Sequence, residues 1–325
     1  MPVASPFARP RLLIAFLSAL FLAATVRADY KGALVLDAAS GAVLHEENPD
    51  AVSPPASVTK LMTFLVVHDA IASGQIRLDT PITATAADQS MGGTQVNLAA
   101  GETFRVEELL FALMIESAND AAHALTQIAG GREAFVARMN ARAQALGMKN
   151  TTFRSPHGLP PDSRKIADGD LTSPRDLALL ARELVSRTDV LRYSSVRVRP
   201  FGAGVRAEPL PMRNHNKLLA SVDGCDGLKT GYTRSAGFCL VATAQRGAKR
   251  VIVAVMGSPD AKTRDAHVKR LIEAGFAKIP DTSVFSGPPT AVAPVEASPV
   301  QPVTSGSGAP ATDAPTVQFK LPGKK

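Results

Sequence analysis

Tryptophan is absent from the 325 residues, and only 3 Tyr and 13 Phe supply aromatic rings. A core built from this chain must rely on Ala, Leu, Val and Ile. Cysteine is almost absent: Cys225 and Cys239 stand alone, which excludes a disulfide-dense scaffold. Both fall near one expected hairpin without being obvious cross-strand neighbours, so their pairing stays open. The histidines His45, His68, His123, His157, His215 and His267 form no HxH or HExxH pair. No protein metal site and no cofactor are expected. Runs of Lys and Arg with interleaved aromatics are also missing, so nucleic acid is not an expected partner. Long apolar runs are lacking as well. The N-terminal stretch Leu12–Ala24 falls short of the roughly 20 residues a spanning helix needs.

What is present begins with that stretch. Arg9 and Arg11 precede it, and Val26-Arg27-Ala28 follows with small residues at cleavage positions. Residues 1–28 therefore read as a signal peptide, with an uncleaved membrane anchor as the alternative. The mature chain is expected to be exported, periplasmic or secreted, and soluble, with no stable membrane anchor. Its net charge of +7 suits an acidic partner such as an anionic wall polymer or a lipid surface.

The spacing predicts a hairpin over Lys31–Val43, then a helix opening at Ser57 after Pro54 and Pro55, apolar on nearly all faces. Glu107–Ile115 predicts a helix that Ser117-Ala118-Asn119-Asp120 interrupts and Ala121–Ile128 resumes. A helix over Phe135–Leu146 and a long loop over Thr151–Leu171 follow. Ser173-Pro174-Arg175-Asp176 caps a helix running to about Arg187. Leu228–Tyr232, Phe238–Thr243 and Val251–Met256 predict three adjacent strands, and Thr263–Phe276 a final amphipathic helix. This order predicts an α/β (α+β) domain over residues 29–279: an antiparallel sheet of about five strands, helices on both faces, and a helical lobe. Residues 280–325 carry nine prolines in 46 residues and predict a disordered Pro/Ala/Ser-rich tail.

Three short patterns carry chemistry. In Ser57-Val58-Thr59-Lys60, a hydroxyl and an amine three residues apart share one helix face at a helix start. A buried lysine of lowered pKa can act there as a base. Ser117-Ala118-Asn119 places a second hydroxyl and an amide at a helix break. Lys229-Thr230-Gly231 sets a cation, a hydroxyl and a close-approach glycine on one strand. Each alone is weak, for they equally describe an N-cap serine, another cap and an ordinary edge strand.

Together, in this order, they resemble the penicillin-binding protein superfamily, and more closely its low-molecular-mass D-alanyl-D-alanine carboxypeptidases. Pro156-His157-Gly158-Leu159-Pro160, Ala236-Gly237-Phe238-Cys239-Leu240-Val241 and Ala254-Val255-Met256-Gly257 add to the resemblance, which covers Lys31–Phe276. It implies a β-lactamase/transpeptidase-like fold and removal of the terminal D-alanine from peptidoglycan pentapeptides through a Ser57 acyl-enzyme. Lys60 would accept the proton of Ser57, and Ser117 would pass one to the leaving D-alanine. Asn119 would bind the substrate backbone, and Lys229 would polarise the site. Thr230 and Arg264 would contact the terminal carboxylate, with Gly231 beside them. The backbone N–H groups of Ser57 and Tyr232 would form the oxyanion hole. His215 would line the cleft or serve only as a hydrogen-bonded loop residue. β-Lactams would be covalent inhibitors.

Other readings stay open. A class A β-lactamase adds a glutamate for deacylation, but Thr151–Arg182 holds Asp162, Asp168, Asp170 and Asp176 and no Glu. Slow release of bound β-lactam follows. A D,D-endopeptidase cutting cross-links shares fold and motifs. So does a wall-binding scaffold that has lost the chemistry. The family's second, C-terminal β-domain with its membrane-surface helix finds no counterpart after Pro280, which predicts a one-domain enzyme.

Overall fold

The computed structural model describes residues 29–288. The expected signal peptide lies outside them. In chain order, β1 (Gly32–Asp37) and β2 (Val43–Glu47) form a hairpin, followed by a 3₁₀ turn at Ala56–Thr59 and α1 (Lys60–Ala72). The helical lobe contains β3 (Pro81–Thr83), α2 (Ala86–Gln89), β4 (Thr103–Arg105), α3 (Val106–Phe111), α4 (Asn119–Ala124) and α5 (Arg132–Ala145). Then come α6 (Pro174–Arg187), α7 (Val190–Ser194), β5 (Val198–Phe201) and β6 (Leu210–Arg213). The chain returns to the sheet through β7 (Cys225–Thr233), β8 (Gly237–Arg246) and β9 (Lys249–Ser258), and α8 (Ala261–Phe276) follows.

Five strands make one antiparallel sheet in the order β2-β1-β9-β8-β7, the architecture expected from the sequence. Alternation along the strands serves two cores. Ile252, Ala254 and Met256 of β9 join Leu34 and Leu36 of β1 in the larger cluster with α1, α5 and α6. Val251, Val253 and Val255 face the other way, against Val268, Leu271 and Ile272 of α8. A central strand covered on both faces explains why Val251–Met256 is continuously apolar. Each such side chain contributes roughly 1.5–3 kcal/mol of burial free energy.

Caps fix the helix starts. Ser173 accepts a hydrogen bond from Asp176 N at 3.3 Å with Pro174 in the first turn, and Asp260 accepts one from Thr263 N at 2.7 Å. The strands run longer than their apolar cores suggest, because their half-exposed ends still pair. The β5–β6 hairpin, α7 and α2 were not expected. Each is only four or five residues long, too short to show a period, and they pack through residues such as Phe201 of β5, Met212 of β6 and Val190, Leu191 and Tyr193 of α7.

Two expectations need correction or completion. The segment after Pro280 does not leave the body at once. Ser283 Oγ donates to Asp37 Oδ2 at 2.6 Å, Phe285 N to Ala248 O at 2.8 Å, and the Arg250 guanidinium lies 5.1 Å from the Phe285 ring centre. One aromatic in a proline-rich stretch suffices to dock it. Cys225 and Cys239 are both free thiols. Cys239 faces Gly231 across the ladder and Cys225 faces Ala244, so about five residues separate them along the strand, far beyond disulfide reach. Among the described residues no helix is long and apolar enough to cross a membrane.

Candidate active site

Ser57 sits in the 3₁₀ turn that leads into α1. The preceding Ala56 is held at φ 50°, a left-handed conformation unusual for a residue with a Cβ. Two glycines lock that turn. A Cβ on Gly158 would stand 1.9 Å from Ala56 O, and one on Gly231 would stand 2.6 Å from Pro55 O and 3.1 Å from Ser57 N. The β7 strand and the turn therefore touch backbone to backbone at Gly231, whereas the sequence suggests a close approach there by a ligand.

Lys60, one helical turn on, is fully buried, with its Nζ 3.1 Å from Ser57 Oγ. That nitrogen also donates to Asn119 Oδ1 at 2.6 Å and to His157 O at 2.8 Å. Desolvation, then the charge of Lys229, push its pKa well below the usual lysine value; Asp170 and Asp120 oppose the shift at longer range. A neutral amine has two N–H donors and one lone pair. The two carbonyl oxygens take the hydrogens, which leaves the lone pair toward Ser57. This is the geometry of a base positioned to take the serine proton.

Asn119 opens α4 at the expected helix break. Before it, the helix widens into a π turn over Ala112–Glu116 and ends at Ser117 with φ 66° and ψ 31°. Left-handed backbone at a non-glycine residue costs on the order of 1–3 kcal/mol and clusters at functional sites. The Asn119 amide is clamped: Nδ2 donates to Gly92 O and the backbone N–H to Thr94 O, each at 2.8 Å. Asp120 accepts from Val96 N at 3.2 Å and Leu98 N at 2.9 Å, holding the 90–98 loop against the same break.

Lys229 and Gly231 share one face of β7. Their partners Val241 and Cys239 belong to the larger core, so this face looks toward α1 and the Ser57 turn. Lys229 is buried and donates to Thr230 O at 3.0 Å. Burial, then Arg264, lower its pKa from 10.5 to about 7, against an opposing pull from Glu116. Thr230 and Tyr232 alternate to the other face; Thr230 is buried, whereas Tyr232 is exposed and stacks on Phe238 at 4.1 Å. Arg264 on α8 is buried, with Nε and Nη2 on Asp265 Oδ1 at 2.9 and 2.7 Å and Nη1 3.5 Å from Cys239 O. It reaches the strand from the α8 side but already holds a carboxylate. His215 lies 3.9 Å from Glu116, and desolvation followed by Lys229, Lys60 and Arg264 drives its pKa down to about 4, so it is neutral.

Ser57, Lys60 and Asn119 thus meet directly, Gly231 packs on the same turn, and Lys229 acts on Lys60 through its charge. Three participants went unassigned in the sequence. His157 supplies a carbonyl to Lys60. Asp170 accepts from Ser155 N, Ser155 Oγ, Arg154 N and Thr59 Oγ1, stitching the 151–171 loop to the Ser57 turn. Glu116 faces Lys229. The Pro156-His157-Gly158 stretch, with its left-handed glycine, was the signal for the first; the others carried none.

Comparison with known proteins gives the same placement. Residues 21–260 match the family described as D-alanyl-D-alanine carboxypeptidase. The chain is 34% identical over 251 residues to Bacillus subtilis D-alanyl-D-alanine carboxypeptidase DacF, covering 77% of this chain and 63% of that protein. It is 37% identical over 257 residues to Escherichia coli DacA of the same description, covering 76% and 61%. It thus spans less than two thirds of these relatives. The ampicillin-bound structure of penicillin-binding protein D2 from Listeria monocytogenes superposes with a TM-score of 0.68 at 32% identity, covering 77% of this chain and 98% of that one. With fold, motif order and relatives in agreement, the chain belongs to the D-alanyl-D-alanine carboxypeptidase family of serine peptidases.

Proposed function

We propose that this protein is a serine D-alanyl-D-alanine carboxypeptidase that trims the terminal D-alanine from peptidoglycan stem peptides. The observation that carries the reading is the buried Lys60 amine, its two hydrogens spent on carbonyls and its third direction aimed at Ser57 Oγ. Ser57 attacks the carbonyl between the two D-alanines as its proton passes to Lys60. The backbone N–H groups of Ser57 and Tyr232 hold the developing oxyanion, and the packing of Gly231 on Ser57 N supports that pairing. β7 is the outermost strand, so its free edge can take the peptide as an added strand. Asn119 and Thr230 orient that peptide, Arg264 and Lys229 supply positive charge for its terminal carboxylate, and Ser117 relays a proton to the departing D-alanine. Water then hydrolyses the acyl-enzyme.

β-Lactams acylate Ser57 and leave slowly in this reading. The 151–182 segment has no glutamate, and its buried Asp170 already accepts four hydrogen bonds, so it has little left with which to activate water. Residues 1–28 direct export, 29–279 form the catalytic unit, and the enzyme works in the periplasm or outside the cell. The test is incubation with a pentapeptide muropeptide and with a cross-linked dimer, alongside mass spectrometry of a penicillin-treated sample. Release of D-alanine from the first, an intact dimer and a Ser57 adduct are expected. Cleavage of the dimer alone would make it an endopeptidase, and the absence of both adduct and products would make it a scaffold.

A further inference from the structure

Ser117 is buried and left-handed, at φ 66° and ψ 31°, although it carries a Cβ. Such a residue keeps its conformation only where its surroundings over-determine it. On its C-terminal side Asn119 supplies that hold: its N–H donates to Thr94 O and its Nδ2 to Gly92 O, each at 2.8 Å, while its Oδ1 accepts from Lys60 Nζ at 2.6 Å. On its N-terminal side the hold is one side chain. Glu116 ends the π turn, and its Oε2 accepts from the backbone N–H of Arg213 at 3.0 Å. Its Oε1 lies 3.9 Å from His215 Nε2, beyond hydrogen-bond distance, so Arg213 is where the carboxylate is fastened.

A pin works only on a rigid post, and Arg213 is one. It ends β6, whose partner β5 is tied to α3 where Glu108 Oε1 accepts from Gly202 N at 2.9 Å. Just past it, Asn214 Nδ2 donates to Ser194 O and Val196 O, both at 3.0 Å, and Asn216 Nδ2 to Gly227 O of β7 at 3.1 Å. The Glu116 carboxylate therefore joins the Ser117 turn to a wall that is itself bonded to α7 and to the strand carrying Lys229. Burial pushes the Glu116 carboxyl up, and the Arg213 N–H and then the Lys229 charge pull it back. An ionised acceptor makes the stronger hydrogen bond of the two forms.

We propose that Glu116 is a positioning residue for the reaction: by holding Arg213 N it fixes the left-handed Ser117, and so keeps the Ser117 hydroxyl where the departing D-alanine nitrogen needs a proton. The inference rests on the carboxypeptidase reading and on the relay it gives to Ser117. In that step the C–N bond of the tetrahedral intermediate breaks; Ser117 Oγ gives its proton to the nitrogen and takes from Lys60 the one that Ser57 released. A thiolate leaving group departs without a proton. The test is kcat/KM for two substrates on one preparation, so that their ratio is independent of the folded fraction. One is an acylated tripeptide ending in D-alanyl-D-alanine; in the other, mercaptoacetate in thiolester linkage replaces the last D-alanine. Glu116→Ala should lower kcat/KM for the peptide roughly 10- to 100-fold and that for the thiolester by no more than about threefold. Ser117→Ala should show the same selective loss, and adding Glu116→Ala to it should cost nothing further, because the two act as one unit. Glu116→Gln keeps an oxygen for Arg213 N and should recover the ratio to within about threefold. Equal losses on both substrates, no loss in Glu116→Ala, losses that add in the double variant, or a Glu116→Gln enzyme as selective as Glu116→Ala would overturn the role of Glu116. Failure of the unaltered enzyme to release D-alanine would instead sink the carboxypeptidase reading, and a Ser117→Ala variant without selective loss would sink the relay; either takes the positioning role with it.

Discussion

Lys60 and Arg250 are both withdrawn from water, at 0% and 1% exposure, yet their surroundings are opposite. Arg250 meets Asp226 through two bonds of 2.9 and 2.8 Å, and Thr243 Oγ1 and Gln245 Oε1 at 2.9 and 2.6 Å take further hydrogens. Lys60 has no carboxylate within bonding distance, only a hydroxyl and two carbonyl oxygens, and a second lysine whose charge disfavours its own. Only Nε of the Arg250 guanidinium lacks a partner, so one buried basic group is paired with a carboxylate and the other is not, and an unpaired buried base in a cleft is the kind of group functional sites hold. Arg250 ties β9 to the start of β7, whereas Lys60 stands with its amine 3.1 Å from Ser57 Oγ, where the proposed reaction needs a base.

The largest effect separates the two by activity. Lys60→Met keeps the volume and removes the base, so kcat/KM for D-alanine release should fall by roughly 10³-fold or more. Stability should change little. Asn119 Oδ1 and His157 O lose a donor, but the cost of burying the polar amine, which desolvation already holds away from its charged form, disappears with it. Steady-state assays and thermal unfolding of the same preparation check both halves. A variant that unfolds as readily as one lacking the Arg250 pair would break the contrast.

Asp226→Ala is the reverse experiment. It strands the Arg250 guanidinium without its counter-ion, which costs about 3–5 kcal/mol when the remaining charge stays buried. Denaturant unfolding should show that loss, while penicillin labelling per folded molecule stays normal. Inactivation without loss of stability would mean that the pair also sets the position of Lys229 further along β7.

How far each site could be read from sequence follows the same division. Ser57 and Lys60, the Ser117–Asn119 break and the Lys229–Gly231 strand were legible because helix spacing, caps and strand alternation are local. The cap at Ser173 and the alternation of β9 were legible for that reason too. Of the two carbonyl oxygens on Lys60 Nζ, the Asn119 amide lies in a legible pattern, but the His157 backbone carbonyl, brought in from a loop 97 residues away, was not legible, nor was Gly92 O, which holds the Asn119 amide. The π turn before Ser117 and the pairing of Arg250 with Asp226 depend likewise on tertiary contacts. Composition misled only at Phe285, whose docking is set by the sheet it meets and not by the prolines around it.

The smallest effect is one of pH, and it distinguishes lysine from arginine directly. Lys229 has its pKa lowered from 10.5 to about 7, and that of Lys60 is lowered as well. If the proposed roles hold, kcat/KM should rise as Lys60 gives up its proton and fall as pH passes about 7, where Lys229 loses the charge proposed to serve the substrate carboxylate. The two groups interact, so the limbs belong to the pair. Lys229→Arg should retain the charge and remove the falling limb. For stability, the unfolded chain binds protons that the native chain does not between about 7 and 10.5, so unfolding free energy should rise with pH across that window. The slope amounts to about 1.4 kcal/mol per pH unit for each proton of difference. Lys229→Met should reduce it by the share of one proton and leave the part due to Lys60. A guanidinium does not titrate in this range, so Arg250→Met should lower the whole curve and leave its slope intact. Parallel curves for the Lys229 and Arg250 variants would show that the lysine is no more strained than its satisfied counterpart, and the functional contrast between the two sites would fall.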